Sequence, residues 1–217
     1  MILPSGCPFS HTSRGKMTRL LTGSLFVLAA AGAVIPRYFA SGFTHVFPDG
    51  PDHVLFILCL FFLSRNLPVL LFQMTLFTVA HSLTLGLALY GLISLPAGFV
   101  EIAIALSITF VAVENLFAGN RLRAWRPWVV FGSGLIHGMG FAHSFAGTPL
   151  PRQDFLPALF SFNLGIECGQ LAVLAVAYGI AALVWNRRWY AAMVEWPVCA
   201  LIGVIGLFMA VQRIAGS

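Results

Sequence analysis

Charged side chains are scarce in this chain. Asp, Glu, Lys and Arg make up 9% of the 217 residues, whereas they make up about 25% of a typical soluble domain. Hydrophobic residues make up 59% of the sequence, and the mean hydropathy is +0.91. Such a composition excludes an ordinary soluble globular protein and predicts an integral membrane protein.

Several motifs that define common protein classes are also missing. The four cysteines stand singly without a Cys-x-x-Cys pair, so neither a zinc knuckle nor a disulfide framework is indicated. No ATP-binding motif is present, so energy for any transport must come from elsewhere. The net charge is +5, but without a basic and aromatic patch it reflects the positive-inside bias of membrane proteins and predicts no nucleic-acid partner.

Long apolar runs are what the sequence does contain. They predict an all-α integral membrane protein in the lipid bilayer, a polytopic bundle of about seven transmembrane helices. Residues 1–18 are expected to form an N-terminal cytoplasmic tail and residues 19–217 a single transmembrane helical domain. The candidate helices span residues 20–36, 50–64, 67–92, 96–117, 127–146, 155–185 and 191–212.

The first candidate helix has a second interpretation. Basic residues precede a short apolar stretch that contains Ala31-Gly32-Ala33, which is also the pattern of a signal peptide with its cleavage site. Cleavage there would leave six helices.

The second candidate helix is too short to cross a bilayer. At 1.5 Å per residue, residues 50–64 cover about 23 Å, less than the roughly 30 Å hydrocarbon core. Its start carries His45, Asp49, Asp52 and His53. We therefore expect this polar mouth to lie below the membrane surface, in a vestibule lined by protein.

Basic residues predict the orientation. Of the twelve Lys and Arg residues, nine fall on the N-terminal side of the predicted membrane and three on the other. The positive-inside rule then places the N-terminus in the cytoplasm and the C-terminus outside, most simply in a bacterial cytoplasmic (inner) membrane.

Ionisable and amide side chains recur inside the predicted helices, at middle and outer depth. A carboxylate near the bilayer centre costs roughly 2.5–3.5 kcal/mol on the insertion scale, so such residues are functional candidates. Imidazole and carboxylate ligands suit a divalent ion such as Ni, Co, Zn or Fe. The predicted metal ligands are His45, Asp52, His53, His81, His137 and Glu167. The predicted supporting residues are Asp49, Ser82, Glu101, Glu114, Asn115, His143, Asn163 and Gln170.

Structural alternatives exist for several of these side chains. Asp49 could be the N-cap of the second helix. His81 and His137 could be buried histidines that bond neighbouring helices. Asn163 and Gln170 suit hydrogen bonds between helices.

Two further features concern the inner side and the helix contacts. Glu114, on the inner side, could form an exit-side site or snorkel to the surface. The Gly-x-x-x-Gly spacings at Gly134 and Gly138, and at Gly165 and Gly169, predict close helix contacts around His137 and Glu167.

Four blocks of the sequence, in this order, carry a family resemblance. They are "GFTHVFPDGPDHVLFILCLFFLSRNLPVLLFQMTLFTVAHSLTLGLALYG", "VEIAIALSITFVAVENL", "WRPWVVFGSGLIHGMGFA" and "FNLGIECGQLAV". Together they resemble the HupE/UreJ family of membrane proteins over roughly residues 40 to 180. The resemblance implies a link to hydrogenase or urease maturation proteins, and for some members nickel or cobalt permeation. The family's His-and-Asp-His motif corresponds to His45, Asp52 and His53.

The remaining polar blocks of the family also carry over by resemblance. They correspond to His81 with Ser82, Glu101, Glu114 with Asn115, His137, and Asn163 with Glu167 and Gln170.

Three functions fit these residues. The first is a divalent-metal permease or metal-handling membrane protein that captures ions at the outer mouth and passes them to His81, His137 and Glu167. The second is an intramembrane metal-dependent hydrolase, with Ser82 or Ser133 assisting. The third is a b-type haem protein with His81 and His137 as axial ligands.

Overall fold

The regular structure of the described chain is helical throughout. A computed structural model describes residues 34–64, 66–118, 123–145 and 154–216. Its helices are α1 (Val34–Val46), α2 (Pro51–Leu63), α3 (Leu67–Leu89), α4 (Ala97–Ala118), α5 (Arg126–Phe145), α6 (Phe155–Ala182) and α7 (Trp196–Gly216), the last preceded by a π-helical turn, Ala191–Glu195. The predicted all-α membrane fold is confirmed.

Four or five candidate membrane spans lie within the described residues, judged by length and composition. Helices α3, α4, α6 and the joined segment Ala191–Gly216 are long and apolar enough to cross a bilayer. Helices α1 and α2 meet the same test only as a pair, bent by 66°. Helix α5 has 20 residues, but its glycines and histidines lower its hydropathy. The predicted first helix lies mostly outside the described residues, so the expected count of about seven stays a prediction.

Helix α1 corrects the sequence analysis, which ended a helix at residue 36 and placed the following residues in a loop. Within the described residues, helix α1 instead covers Val34–Val46 and so continues past residue 36. Hydropathy missed it because the segment has only 13 residues and contains Arg37 and His45.

Helix α1 runs beside the first half of α6 in the same direction. The Ser161 hydroxyl of α6 donates to the carbonyl oxygen of Ile35 near the start of α1. Further along, a Cβ at Gly165 would overlap the carbonyl oxygen of Phe39, and one at Gly169 would touch Val46 near the end of α1. The start of α1 therefore lies beside the start of α6. The helix is interrupted at residues 47–50, and the chain continues as α2.

Helix α2 occupies the centre of the bundle. It contacts α3, α4, α6 and α7, while α3 packs mainly on α5 and α4 mainly on α7. Glycines bring α5 against α3: a Cβ at Gly134 would touch the Phe77 backbone, and one at Gly138 would overlap the carbonyl oxygen of His81. The close contacts predicted from the glycine spacing are confirmed around His137.

The antiparallel helices define two ends of the bundle. We call the end where α4 and α6 begin the mouth end, and the end where α5 begins the Arg126 end.

Candidate functional site

Four histidines meet at the break between α1 and α2. His45 comes from the end of α1, His53 from the first turn of α2, His81 from the middle of α3 and His137 from the middle of α5. Ligand atoms of His45, His53 and His81 all lie within 4.8 Å of one another. The His137 ring lies 5.1 Å from that of His53, measured between ring centroids. We call these four side chains the histidine cluster.

Three of the four histidines are buried and His45 is partly buried, and most of the ring nitrogens have no described protein partner. His53, His81 and His137 are 5%, 0% and 2% exposed. Among the described residues, no hydrogen bond reaches His45 Nε2, His53 Nε2, His137 Nδ1 or either nitrogen of His81. Buried polar atoms are normally satisfied, so such a group of unpaired nitrogens calls for an explanation.

A metal ion would satisfy these nitrogens. Zn–N bonds of about 2.0–2.1 Å place the donors of a tetrahedral site roughly 3.4 Å apart. The observed spread, up to 4.8 Å, requires shifts of about 1 Å or less at each ring to reach that geometry. Neutral imidazole is also a common ligand for several transition metals. The residues present therefore fit a divalent metal ion.

His137 has a positioning contact of its own. Its Nε2 lies 3.4 Å from the hydroxyl of Ser107 on α4. This contact links α5 to α4 beside the histidine cluster. The other ring nitrogen of His137, Nδ1, has no described hydrogen-bond partner.

Asp52 is bound by an arginine that the sequence analysis treated only as a topology charge. Arg213, near the end of α7, places Nη2 3.0 Å from Asp52 Oδ2. The same guanidinium donates to the backbone carbonyl of Glu101 at 2.7 Å and lies 3.8 Å from its carboxylate. The second oxygen of Asp52, Oδ1, is buried without a partner in the described chain. The sequence offered one sign of such a contact, namely that Arg213 is the only charged residue in the otherwise apolar helix α7.

A cavity of about 500 Å³ opens onto this group from the mouth end. It is lined by His45, Asp52, His53, Glu101, His137 and Arg213, among others. The predicted vestibule at the start of the second helix thus corresponds to an open cavity, which three of the four cluster histidines line.

Asp49 does not cap α2. The N-cap residue is Gly50, no side chain bonds the free amides there, and Asp49 is exposed. Gly50 is required at this position because a Cβ would overlap the carbonyl oxygen of His45. The chain therefore turns tightly around His45, and Asp49 lines the cavity without capping the helix.

Glu167 lies apart from the histidine cluster. Its Oε1 accepts a hydrogen bond from Thr75 of α3 at 2.9 Å, more than one turn before His81. Gln170 accepts from Thr78 at 3.2 Å, which agrees with its predicted role between helices. Asn163 instead donates to the carbonyl oxygen of Leu159 in its own helix, and no described residue bonds its Oδ1.

Two other predicted supporting residues are accounted for locally or fall outside the description. The Ser82 hydroxyl donates to the carbonyl oxygen of Thr78 in α3 at 2.6 Å. The side chain of His143 lies outside the described residues.

Glu114 forms a buried ion pair at the Arg126 end, which is incompatible with a snorkelling carboxylate. Its Oε2 lies 2.7 Å from Arg126 Nη1, and the two residues are 8% and 1% exposed. Asn115 Oδ1 also accepts from this guanidinium at 3.3 Å, and Gln73 Oε1 at 3.5 Å. Asn115 Nδ2 donates to the carbonyl oxygen of Cys59 at 2.7 Å. Sequence reasoning counted Arg126 as a loop charge.

Apolar side chains separate the two polar sites. Phe56 and Phe77 lie 5.0 Å apart between ring centroids, and both contact His137. Leu60, Leu70 and Met74 continue the same buried core towards Arg126. We call these five side chains the apolar layer.

Fold and site together define a polytopic α-helical membrane protein with a buried histidine cluster able to hold a metal ion. The chain matches the family described as HupE / UreJ protein over residues 22–213, and it therefore belongs to the HupE/UreJ family of metal-related accessory membrane proteins. No curated protein and no solved structure matches the chain.

Proposed function

We propose that the chain is a divalent-metal permease or metal-handling membrane protein, with the histidine cluster as its metal site. The observation that carries the proposal is the convergence of unpaired, buried ring nitrogens from α1, α2, α3 and α5 at the base of an open cavity. Buried polar groups in a membrane protein are costly unless they serve a partner or a ligand.

The residues divide into a capture region and a binding site. Asp52 and Glu101 line the cavity at the mouth end and supply negative charge that attracts a cation before it is dehydrated. His45, His53, His81 and His137 would then hold the ion. Glu167, tied to Thr75, would take part only after the ion has moved along α3.

Family membership favours nickel or cobalt as the metal, in connection with hydrogenase or urease maturation proteins. Imidazole also binds zinc, copper and iron well, so the assay must compare several ions. The orientation that goes with the proposal is N-terminus in and C-terminus out across a bacterial inner membrane. The cavity would then open to the outside.

The first test is the metal content of the purified protein. His53→Ala, His81→Ala and His137→Ala should each lower bound metal by more than about tenfold, since even indirect partners of metal ligands contribute about 10–100-fold. Cys168→Ala is the matched control, because Cys168 is a free, part-buried thiol of α6 outside the cluster. Unchanged metal content in all three histidine variants would falsify the shared site.

One observation favours a second candidate, an intramembrane metal-dependent hydrolase. The cavity of about 500 Å³ is much larger than one ion, and Asp52, which lines it with an unpartnered Oδ1, would be the base that acts on a metal-bound water. Uptake of nickel, cobalt, zinc and iron into proteoliposomes separates the two candidates. A protein that moves none of these ions but, when loaded with metal, cleaves a lipid or peptide substrate is the hydrolase.

The geometry gives no support to the haem alternative. The rings of His53 and Phe77 each lie within 6.3 Å of both His81 and His137. They occupy the space in which a porphyrin would have to lie between those two ligands.

A further inference from the structure

The Arg126 end contains a second polar group, buried as deeply as the histidine cluster and set apart from it. Three side-chain oxygens surround the Arg126 guanidinium: Glu114 Oε2 at 2.7 Å, Asn115 Oδ1 at 3.3 Å and Gln73 Oε1 at 3.5 Å. These oxygens come from two different helices and converge on one cationic group. Such a set of carboxylate and amide oxygens is the ligand type that hard divalent cations prefer.

The second group lies along the same helices as the first. On α3, Gln73 precedes His81 by eight residues, which is about 12 Å along a helix axis. On α5, Arg126 precedes His137 by eleven residues, which is about 16 Å. The apolar layer fills the interval. Two of the helices that build the histidine cluster, α3 and α5, therefore also contribute side chains to the polar group below it.

Two atoms of this group remain unsatisfied. Glu114 Oε1 and Arg126 Nη2 are buried and have no hydrogen-bond partner among the described residues. A pair that served only to neutralise two charges would be expected to use both forks of each side chain. Glu114 also lines a second cavity, of about 220 Å³, together with Arg123 and Trp125. Its carboxylate thus stands between the interior and an opening at this end.

We propose that Gln73, Glu114 and Asn115 form a second, oxygen-lined cation site, and that Arg126 occupies it as a tethered cation when no ion is in transit. The inference rests on the proposed function, because it gives an ion leaving the histidine cluster its next ligands. Displacement of the guanidinium would free the three oxygens and open the way past Glu114. Exchange of one cation for another keeps the buried carboxylate neutralised throughout.

Removal of the tethered cation should expose the site to a metal ion. Arg126→Gln should bind one Mn²⁺ per chain at least about tenfold more tightly than wild type, measured by titration with electron paramagnetic resonance detection. Manganese is the probe because it prefers oxygen ligands. The double variant Glu114→Gln/Arg126→Gln should return to wild-type binding. Arg188→Gln is the matched control, since Arg188 is exposed at the same end of the bundle and does not line the cavity beside Glu114.

The result can be separated from the fate of the histidine cluster, because zinc content is measured on the same preparations. A wild-type protein that contains no zinc would count against the proposed function. The manganese titration could still be interpreted, because it measures the second site. The second site is overturned if Arg126→Gln binds Mn²⁺ no better than Arg188→Gln, or if its gain survives in the double variant.

A transport measurement decides the question if Arg126→Gln does not accumulate as folded protein. Glu114→Gln keeps the size of the side chain and leaves the histidine cluster intact. It should retain zinc at that cluster and lose at least about tenfold in the rate of uptake into proteoliposomes. Normal uptake by Glu114→Gln overturns the proposal.

Discussion

At the scale of single residues, two arginines form ion pairs with carboxylates that were expected to serve the metal. Arg213 binds Asp52 at the mouth end, and Arg126 binds Glu114 at the opposite end. These two carboxylates are therefore already neutralised by cations of the chain. Binding of an external ion at either carboxylate is a competition with a guanidinium.

The Arg213 contact leads to a paired prediction. Asp52→Asn keeps the shape of the side chain and removes its charge, so uptake should fall several-fold at low metal concentration and recover partly at high concentration, because capture is what has been weakened. Arg213→Gln should act in the opposite direction and raise uptake at low metal, because it releases both Asp52 and Glu101. The measurement is initial uptake rate against metal concentration in proteoliposomes. A decrease of the same size in both variants would show that the ion pair supports the fold and does not tune capture.

At the scale of elements, close helix contacts place the histidines. Helix α5 reaches α3 because Gly134 and Gly138 present no side chain to the backbone of Phe77 and His81. His137 lies between those two glycines on the same helix. The distance between the rings on α3 and α5 is therefore set by glycines and not by the histidines themselves.

Two glycines of α5 allow this to be tested within one helix. Gly138→Ala introduces a methyl group against the His81 carbonyl and the Thr84 hydroxyl, whereas a Cβ at Gly132 meets open space. We expect Gly138→Ala to cost about 1–3 kcal/mol of stability from overpacking and to lower metal content. Gly132→Ala should be neutral or stabilising by up to about 1 kcal/mol, since alanine is the better helix former. Thermal melts and metal analysis of the two variants provide the comparison. Equal behaviour of the two would mean that α5 can move away from α3 at no cost.

The sequence predicted those parts of the fold that can be recognised from the hydropathy of a single segment. Hydropathy located α3, α4, α6 and α7 within a few residues, and the short second helix with its polar start indicated the cavity. Helix α1 was missed because 13 residues interrupted by polar groups resemble a loop when no neighbour is known.

The composition of the site was predictable in kind but not in its pairings. Histidines in apolar helices indicated a metal site, yet rotation about each helix axis decides which of them meet. Glu167 therefore lies beside Thr75 and apart from His81, and the partners of Asp52 and Glu114 follow from contacts that no local pattern encodes. Asp49 failed as a cap because the turn at Gly50 depends on the position of His45.

At the scale of the whole molecule, the buried arginines sharpen the charge asymmetry. Arg126 and Arg213 are paired inside the bundle, so neither acts as a simple loop charge. Without them, the count of basic residues changes from nine against three to eight against two. The bias towards the side that carries the N-terminus becomes stronger.

The expected topology can be checked with reporter fusions. A reporter fused after Gly216 should be active only when it functions outside the cytoplasm, because the Arg-rich loops keep the Arg126 end inside. A fusion in the loop that carries Arg187 and Arg188 should give the opposite result and is the internal control. Cytoplasmic activity of the fusion after Gly216 would reverse the orientation of the entire bundle.

The apolar layer affects whether protons can leak through the bundle. Phe56, Phe77 and the three aliphatic side chains below them separate two polar sites that would otherwise be joined by a file of water molecules. A narrow hydrophobic constriction excludes water and so interrupts the chain of hydrogen bonds along which protons move. A membrane that contains many copies of this protein would therefore keep its proton gradient, even though histidines and carboxylates lie on one side of the layer and a buried ion pair lies on the other.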